Sequence, residues 1–185
     1  MSGSVTQALL FLVQNVFQLY IFIVLIRFLL QVAKADFYNP MSQFVVKVTA
    51  PVLNPLRRVI PGIAGLDIAA IVLALALQLV MISLVFLIAS GSLPNILTLV
   101  IGTVAGIAND LLNIYFFGII ISAVLSWITP AQGHPAAQLV FQLVEPALAP
   151  FRKLLPDMGG IDISPILALM IFQVLRILIQ PFIVV

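Results

Sequence analysis

Two seven-residue segments, Pro55-Leu-Arg-Arg-Val-Ile-Pro61 and Pro150-Phe-Arg-Lys-Leu-Leu-Pro156, are one module written twice. The offset of 95 residues between them also relates Tyr20 to Tyr115, Pro40 to Pro135, Gln43 to Gln138, Pro51 to Pro146, Gly65 to Gly160, Asp67 to Asp162 and Gln78 to Gln173, without a gap. Register held over that distance marks a tandem duplication. Repeat 1 covers residues 1–90 and repeat 2 residues 91–185. Each copy places a basic, proline-punctuated connector between two apolar stretches, so function is to be sought in what two such connectors build together.

Lipid is the solvent these stretches require. With 63% apolar and 8% charged residues and a mean hydropathy of +1.28, the chain has too few polar groups to cover a water-facing surface. There is no cysteine, which removes disulfide frameworks, thiolate metal sites and cysteine nucleophiles.

Crossing a hydrocarbon core about 30 Å thick takes about 20 helical residues. Four spans are expected near residues 6–33, 68–89, 111–128 and 163–185. The apolar region before the third begins at Leu93, and a helix from there to Ile128 would run about 50 Å, more than one crossing needs. Residues 94–108 therefore read as an outer interfacial helix joining the third span near Gly106–Asp110, or as an overlong tilted helix that protrudes. The opening segment lacks a basic n-region and is too long for the apolar core of a cleaved signal peptide.

Outside the spans, the basic residues fall in the connectors, residues 34–67 and 129–162: Lys34, Lys47, Arg57 and Arg58 in the first, Arg152 and Lys153 in the second. Two crossings separate the connectors, which puts them on one side, and the positive-inside bias makes that side the cytoplasm. Both termini are then expected in the periplasm, with the repeats in parallel orientation. The expected fold is an all-α membrane protein: four transmembrane helices as two helical-hairpin repeats, each with an amphipathic cytoplasmic connector.

Asn39-Pro40 and His134-Pro135 open the connectors as turns. Short helices are expected at 41–49 and 136–144, broken and restarted by the proline pairs Pro51/Pro55 and Pro146/Pro150. Beyond them, Arg57-Arg58 and Arg152-Lys153 sit among apolar neighbours, a composition suited to a helix lying among anionic headgroups. The same residues, with Lys47, also read as plain topological anchors, or as a surface for lipid or a partner protein. Asp67 and Asp162 each precede an apolar helix and are expected to cap it.

Polar residues inside the spans are few. Gln78 and Gln173, about mid-membrane, are placed to hydrogen-bond across the contact between repeats. Arg176 lies too deep for easy snorkelling, and Asp110, at a comparable depth, is its expected counter-ion. Arg27, near the inner end of the first span, can snorkel. Gln14, Asn15 and Gln18 match Asn109, Asp110 and Asn113 at the repeat offset, a pattern that fits an aqueous vestibule or helix packing. The GxxxG spacing of Gly102 and Gly106 permits close helix approach. His134 is the sole histidine and reads as a turn residue, since a metal site recruits several ligands. No phosphate loop, nucleophile elbow or zinc signature occurs, and basic doublets are too thin for a nucleic-acid surface.

Asp36-Phe-Tyr-Asn-Pro40, Ser42-Gln-Phe-Val-Val-Lys-Val-Thr49, Pro55–Pro61 and Met158-Gly-Gly-Ile-Asp-Ile-Ser-Pro165 resemble the signatures of the bacterial YggT family, whose single-repeat relatives are called YlmG. The resemblance covers essentially the whole chain in its duplicated form. It implies an inner-membrane protein without enzymatic chemistry or cofactor, connected with cell division or envelope organisation, with osmotic-stress tolerance and, in chloroplasts, with cytochrome assembly and nucleoid distribution. The expected partners are anionic lipid of the cytoplasmic leaflet and a membrane or division protein. An ion or small-solute channel using Gln78, Gln173, Arg176 and Asp110 is the alternative, and it would call for a homo-oligomer. A cytochrome assembly factor is a further one.

Overall fold

The computed structural model describes residues 2–63, 65–128, 134–155 and 162–184. Its helices are α1 (Ser2–Val32), α2 (Pro40–Val59), α3 (Ile68–Ser90), α4 (Ile96–Ile128), α5 (Pro135–Leu154) and α6 (Ser164–Ile179), the last continued by a 3-10 turn at Gln180–Phe182. No strand occurs among the described residues. Four helices, α1, α3, α4 and α6 with its turn, are long and apolar enough to cross a membrane. The chain is a multi-pass membrane protein of two helical repeats.

Helix ends follow local chemistry. α3 stops at Gly91, whose φ of +72° suits a residue without a Cβ. α1 stops the same way at Lys34, with φ +49°, and the Ala35 N–H reaches back to the Leu30 carbonyl at 2.9 Å, satisfying one of the helix's last acceptors.

Two expectations about helix boundaries are corrected. For residues 94–108 the interfacial-helix alternative gives way to the overlong one: from Ile96 they are the first part of α4, which runs unbroken for 33 residues. No proline lies between Gly106 and Asp110, so the hydrogen-bond ladder continues through them. The connectors also fail to break at their prolines: α2 and α5 are single 20-residue helices with Pro51, Pro55, Pro146 and Pro150 inside them. Each interior proline costs about 3 kcal/mol in isolation. In α2, however, Lys47, Pro51 and Pro55 form one exposed stripe, so the carbonyls that lose donors lie away from the core. The other face buries Ser42, Thr49 and Leu53, and tertiary packing outweighs local preference there.

α1 packs along α3, α3 along α4 and α4 along α6, so the spans form one row whose ends, α1 and α6, do not touch. The core is duplicated with them. Val24, Leu53 and Leu73 are buried in repeat 1, and their partners at the repeat offset, Ile119, Leu148 and Ala168, are buried in repeat 2. Thr49 and Val144 occupy another matched buried position, one that changes polarity, as Ser42/Ala137 and Ala69/Ser164 also do.

Candidate functional site: connector face and intramembrane polar groups

The connectors lie side by side at one end of the bundle. Asn39 Nδ2 donates to the Pro135 carbonyl at 2.7 Å, and the Asp36 N–H donates to Gln142 Oε1 at 3.0 Å. Asn39 also caps α2 through Oδ1, accepting the Met41 N–H at 2.9 Å. In the other repeat His134 Nδ1 accepts the Ala136 N–H at 3.3 Å, so the lone histidine is a turn and cap residue.

Of the basic residues at this face, two are already engaged by carboxylates. Arg57 grips Asp67 through Nη2 and through Nε, the latter at 3.2 Å to Oδ2, and Asp67 is buried. At the repeat offset Arg152 Nε donates to Asp162 Oδ2 at 2.9 Å, and its Nη1 donates to both Glu145 oxygens at 2.7 Å. Some burial of Arg152 lowers its pKa, but the hydrogen bonds and charges of Glu145 and Asp162 outweigh that and raise it. Asp162 behaves reciprocally: burial works upward, while bonds from Ser164 and Arg152 hold the carboxyl below the usual range.

The expected capping role divides between the aspartates. Asp67 stands at the N-cap of α3 but makes no cap hydrogen bond, because Arg57 occupies its oxygens. Asp162 does bind the start of α6, accepting the Ser164 N–H at 2.9 Å. Lys47, Arg58 and Lys153 are exposed and make no ion pair among the described residues. The turn at 157–160 lies outside the described residues.

Within the spans the expected pairings are replaced by others. Gln78 does not meet Gln173. It packs against Gly106 of α4, where a Cβ would collide with its Nε2, and Gly102 one turn away receives Ile82 and Val184. The GxxxG groove thus seats α3 of one repeat against α4 of the next. Gln173 sits on α6, last in the row, so the face matching that of Gln78 has no neighbouring span, and its Oε1 accepts from Arg176 Nη1 at 3.3 Å. Arg176 does not pair with Asp110; its guanidinium lies 5.3 Å from the Phe116 ring centroid. Asp110 Oδ1 instead accepts from Gln18 Nε2 of α1 at 2.7 Å. The first polar patch therefore meets the second by helix packing at this pair. Arg27, at the inner end of α1, is buried and donates from Nη1 to the Val46 carbonyl at 3.0 Å and to Thr49 Oγ1 at 2.6 Å.

The sequence profile of the CCB3/YggT family matches residues 6–88 and again residues 101–183, at the offset of 95 that the duplication has. The chain belongs to the CCB3/YggT family. Similar proteins include the uncharacterized protein PA0392 of Pseudomonas aeruginosa, 47% identical over 93% of this chain and 88% of that one. The uncharacterized protein YggT of Escherichia coli K12 is 38% identical over 91% of this chain and 87% of its own length. A Vibrio alginolyticus protein, described as uncharacterized and encoded in the proC 3' region, is 43% identical over 83% of each. No solved structure matches.

In this CCB3/YggT member, sequence reasoning passes over three contributors at the connector face: Thr49, Gln31 and Glu145. The Arg57–Asp67 and Arg152–Asp162 pairs carried a signal, since opposite charges ten residues apart recur together at the repeat offset. Thr49 carried one too, because its repeat partner is Val144 and the cation near it, Arg27, has Ser122 in its place.

Proposed function

We propose that the chain works without enzymatic chemistry as an inner-membrane protein. Its joined connectors form a docking face on the cytoplasmic leaflet, serving membrane and envelope organisation in division and osmotic-stress tolerance. The observation that supports this reading is the side-by-side seating of α2 and α5 through Asn39 and Pro135, which makes one surface of two connectors. The surface is polarised. By sequence, the first connector has Lys34, Lys47, Arg57 and Arg58 against Asp36 and Asp67, whereas the described part of the second has Arg152 and Lys153 against Glu145 and Asp162. Excess positive charge therefore lies in repeat 1, where anionic lipid would gather, and the more neutral repeat 2 is left for a protein partner.

The test is charge reversal of the unpaired cations Lys47, Arg58 and Lys153. Their insertion is verified by labelling single cysteines introduced into the cysteine-free chain. Inserted protein that no longer restores growth of a deletion strain after osmotic upshift supports a docking face. Inserted protein that complements fully reduces the connectors to anchors, and labels on opposite faces of the membrane end the proposal.

A solute path is the second reading, favoured by Asp110 Oδ2 and Asn113 Oδ1, which are buried in α4 without hydrogen-bond partners among the described residues. Against it, Gln78, Gln173, Arg176 and Asp110 do not line one passage. Flux into proteoliposomes equal to that of empty vesicles rejects this second reading.

A further inference from the structure

Arg27 presents a physical problem that its surroundings only half solve. It is 5% exposed, lies on a membrane-spanning helix, and is bound by no carboxylate among the described residues. Both of its hydrogen bonds leave from Nη1, so Nε and Nη2 have no protein acceptor among the described residues. Neither nitrogen is sealed off, since both are absent from the buried unpartnered atoms, so water or an anion in the space beside them completes the shell, and a positive group favours the anion.

Arg27 borders a cavity of about 580 Å³ between α1 and α2. Lys47 and Arg57 line the same cavity with Gln31 and Gln43, and no carboxylate lines it among the described residues. Asp67 offsets the charge of Arg57 from outside this lining, leaving an excess of positive charge directed inward. The depth is also defined. Gln31 Nε2 donates to the Gly65 carbonyl at 2.8 Å, just before α3 begins, and Arg27 is one turn further into α1, about 6 Å deeper. That is about the level of Ile68, where the α3 span begins, and headgroup phosphates flank the ends of a span.

The second repeat lacks this arrangement. At the offset of 95, Arg27 becomes Ser122, Lys47 becomes Gln142, Gln31 becomes Ser126 and Thr49 becomes Val144. Ser122 turns back to its own helix, donating to the Ile119 carbonyl at 2.8 Å, and Val144 packs as core. The ion pair Arg57–Asp67 is nevertheless retained as Arg152–Asp162. A scaffold kept in both halves, with one cation and its hydroxyl partner changed together, separates an added site from the fold that carries it.

We infer that the α1–α2 cavity of repeat 1 binds a phosphate group, supplied by the headgroup of one anionic phospholipid. Arg27 and Lys47 bind the phosphate oxygens with charge-assisted hydrogen bonds, and Phe37, on the cavity wall and 41% exposed, gives the site an apolar edge. The inference rests on the proposed function only for the leaflet involved; the site itself stands on the geometry.

Native mass spectrometry of the full chain, exchanged from detergent into mixtures of phosphatidylglycerol and phosphatidylcholine, tests it without reference to growth. The expected result is selective retention of one phosphatidylglycerol per chain. Retention should weaken about tenfold in Arg27→Gln and in Lys47→Gln, the scale of one lost charge-assisted hydrogen bond, and be unchanged in Arg152→Gln. Lys47 is exposed and supports no core packing, so its variant remains informative if Arg27→Gln fails to fold. Equal retention by wild type and Lys47→Gln overturns the inference. Absence of lipid preference together with stabilisation by inorganic phosphate alone overturns the lipid assignment in favour of a soluble anion. Complementation failure without loss of lipid binding bears on the docking face and leaves this site intact.

Discussion

Gln78 of α3 lies across Gly106 of α4, so close that a Cβ on the glycine would overlap its amide nitrogen. This contact joins the two repeats, because α3 ends the first and α4 begins the second. The glycine lowers helix propensity by about 1 kcal/mol, and close packing of a buried glutamine offsets that loss. Gly106→Leu should therefore destabilise the protein by roughly 2 kcal/mol through overpacking, and Gln78→Ala in the same chain should restore part of it. Unfolding midpoints in mixed micelles measure both. Additive losses in the double variant would show that the two side chains do not share this space.

The duplication, the spans and the all-helical class were legible because they depend on run length and register, quantities a sequence states directly. What local reading missed was decided at longer range. α2 continues through Pro51 and Pro55 because its opposite face buries Thr49 and Leu53, and proline statistics do not include that burial. Asp67 looked like a cap because its helix is adjacent in sequence, yet Arg57 returns across ten residues to claim it. The proposed Arg176–Asp110 pair matched in depth alone. Arg176 approaches Phe116, six residues from Asp110, and at about 100° per residue those side chains leave α4 in directions about 120° apart.

The two repeat-matched ion pairs should differ in weight. Asp67 is 5% exposed and Asp162 is 45% exposed, so the first pair is the less screened and removing its carboxylate breaks hydrogen bonds at a buried group, whereas Arg152 retains Glu145 and water. Asp67→Asn should cost on the order of 2 kcal/mol and Asp162→Asn less than about 1 kcal/mol. Thermal midpoints of the two variants in one detergent compare them directly. A larger loss from Asp162→Asn would show that accessibility does not rank these pairs.

Asp162 also sets an acid limit. Its folded pKa lies below the ordinary aspartate value of about 3.9. The unfolded chain therefore takes up the proton first as pH falls. The stabilisation is complete above about pH 4 and fades as pH drops through the lowered folded value. The stability gap between wild type and Asp162→Asn should be constant from about pH 5 to 8 and narrow below about pH 4. A gap that widens with acidification would reverse the sign of the linkage.

Asp110 provides the sharpest test of what holds the spans in place. It accepts from Gln18 at 2.7 Å, whereas Arg176 is committed to Phe116 and Gln173. In a double-mutant cycle, Asp110→Leu with Gln18→Leu should show coupling of about 1 kcal/mol, within the range for hydrogen bonds between membrane helices. Asp110→Leu with Arg176→Leu should couple by less than about 0.5 kcal/mol, the level typical of separated sites. The contrast matters for mechanism, since a paired Arg176 would make Asp110 a structural counter-charge. Without that coupling, Asp110 is a carboxyl with one oxygen, Oδ2, unpartnered among the described residues, available to the solute path of the second reading. Strong Arg176 coupling would close that path and restore the salt bridge that depth alone suggested.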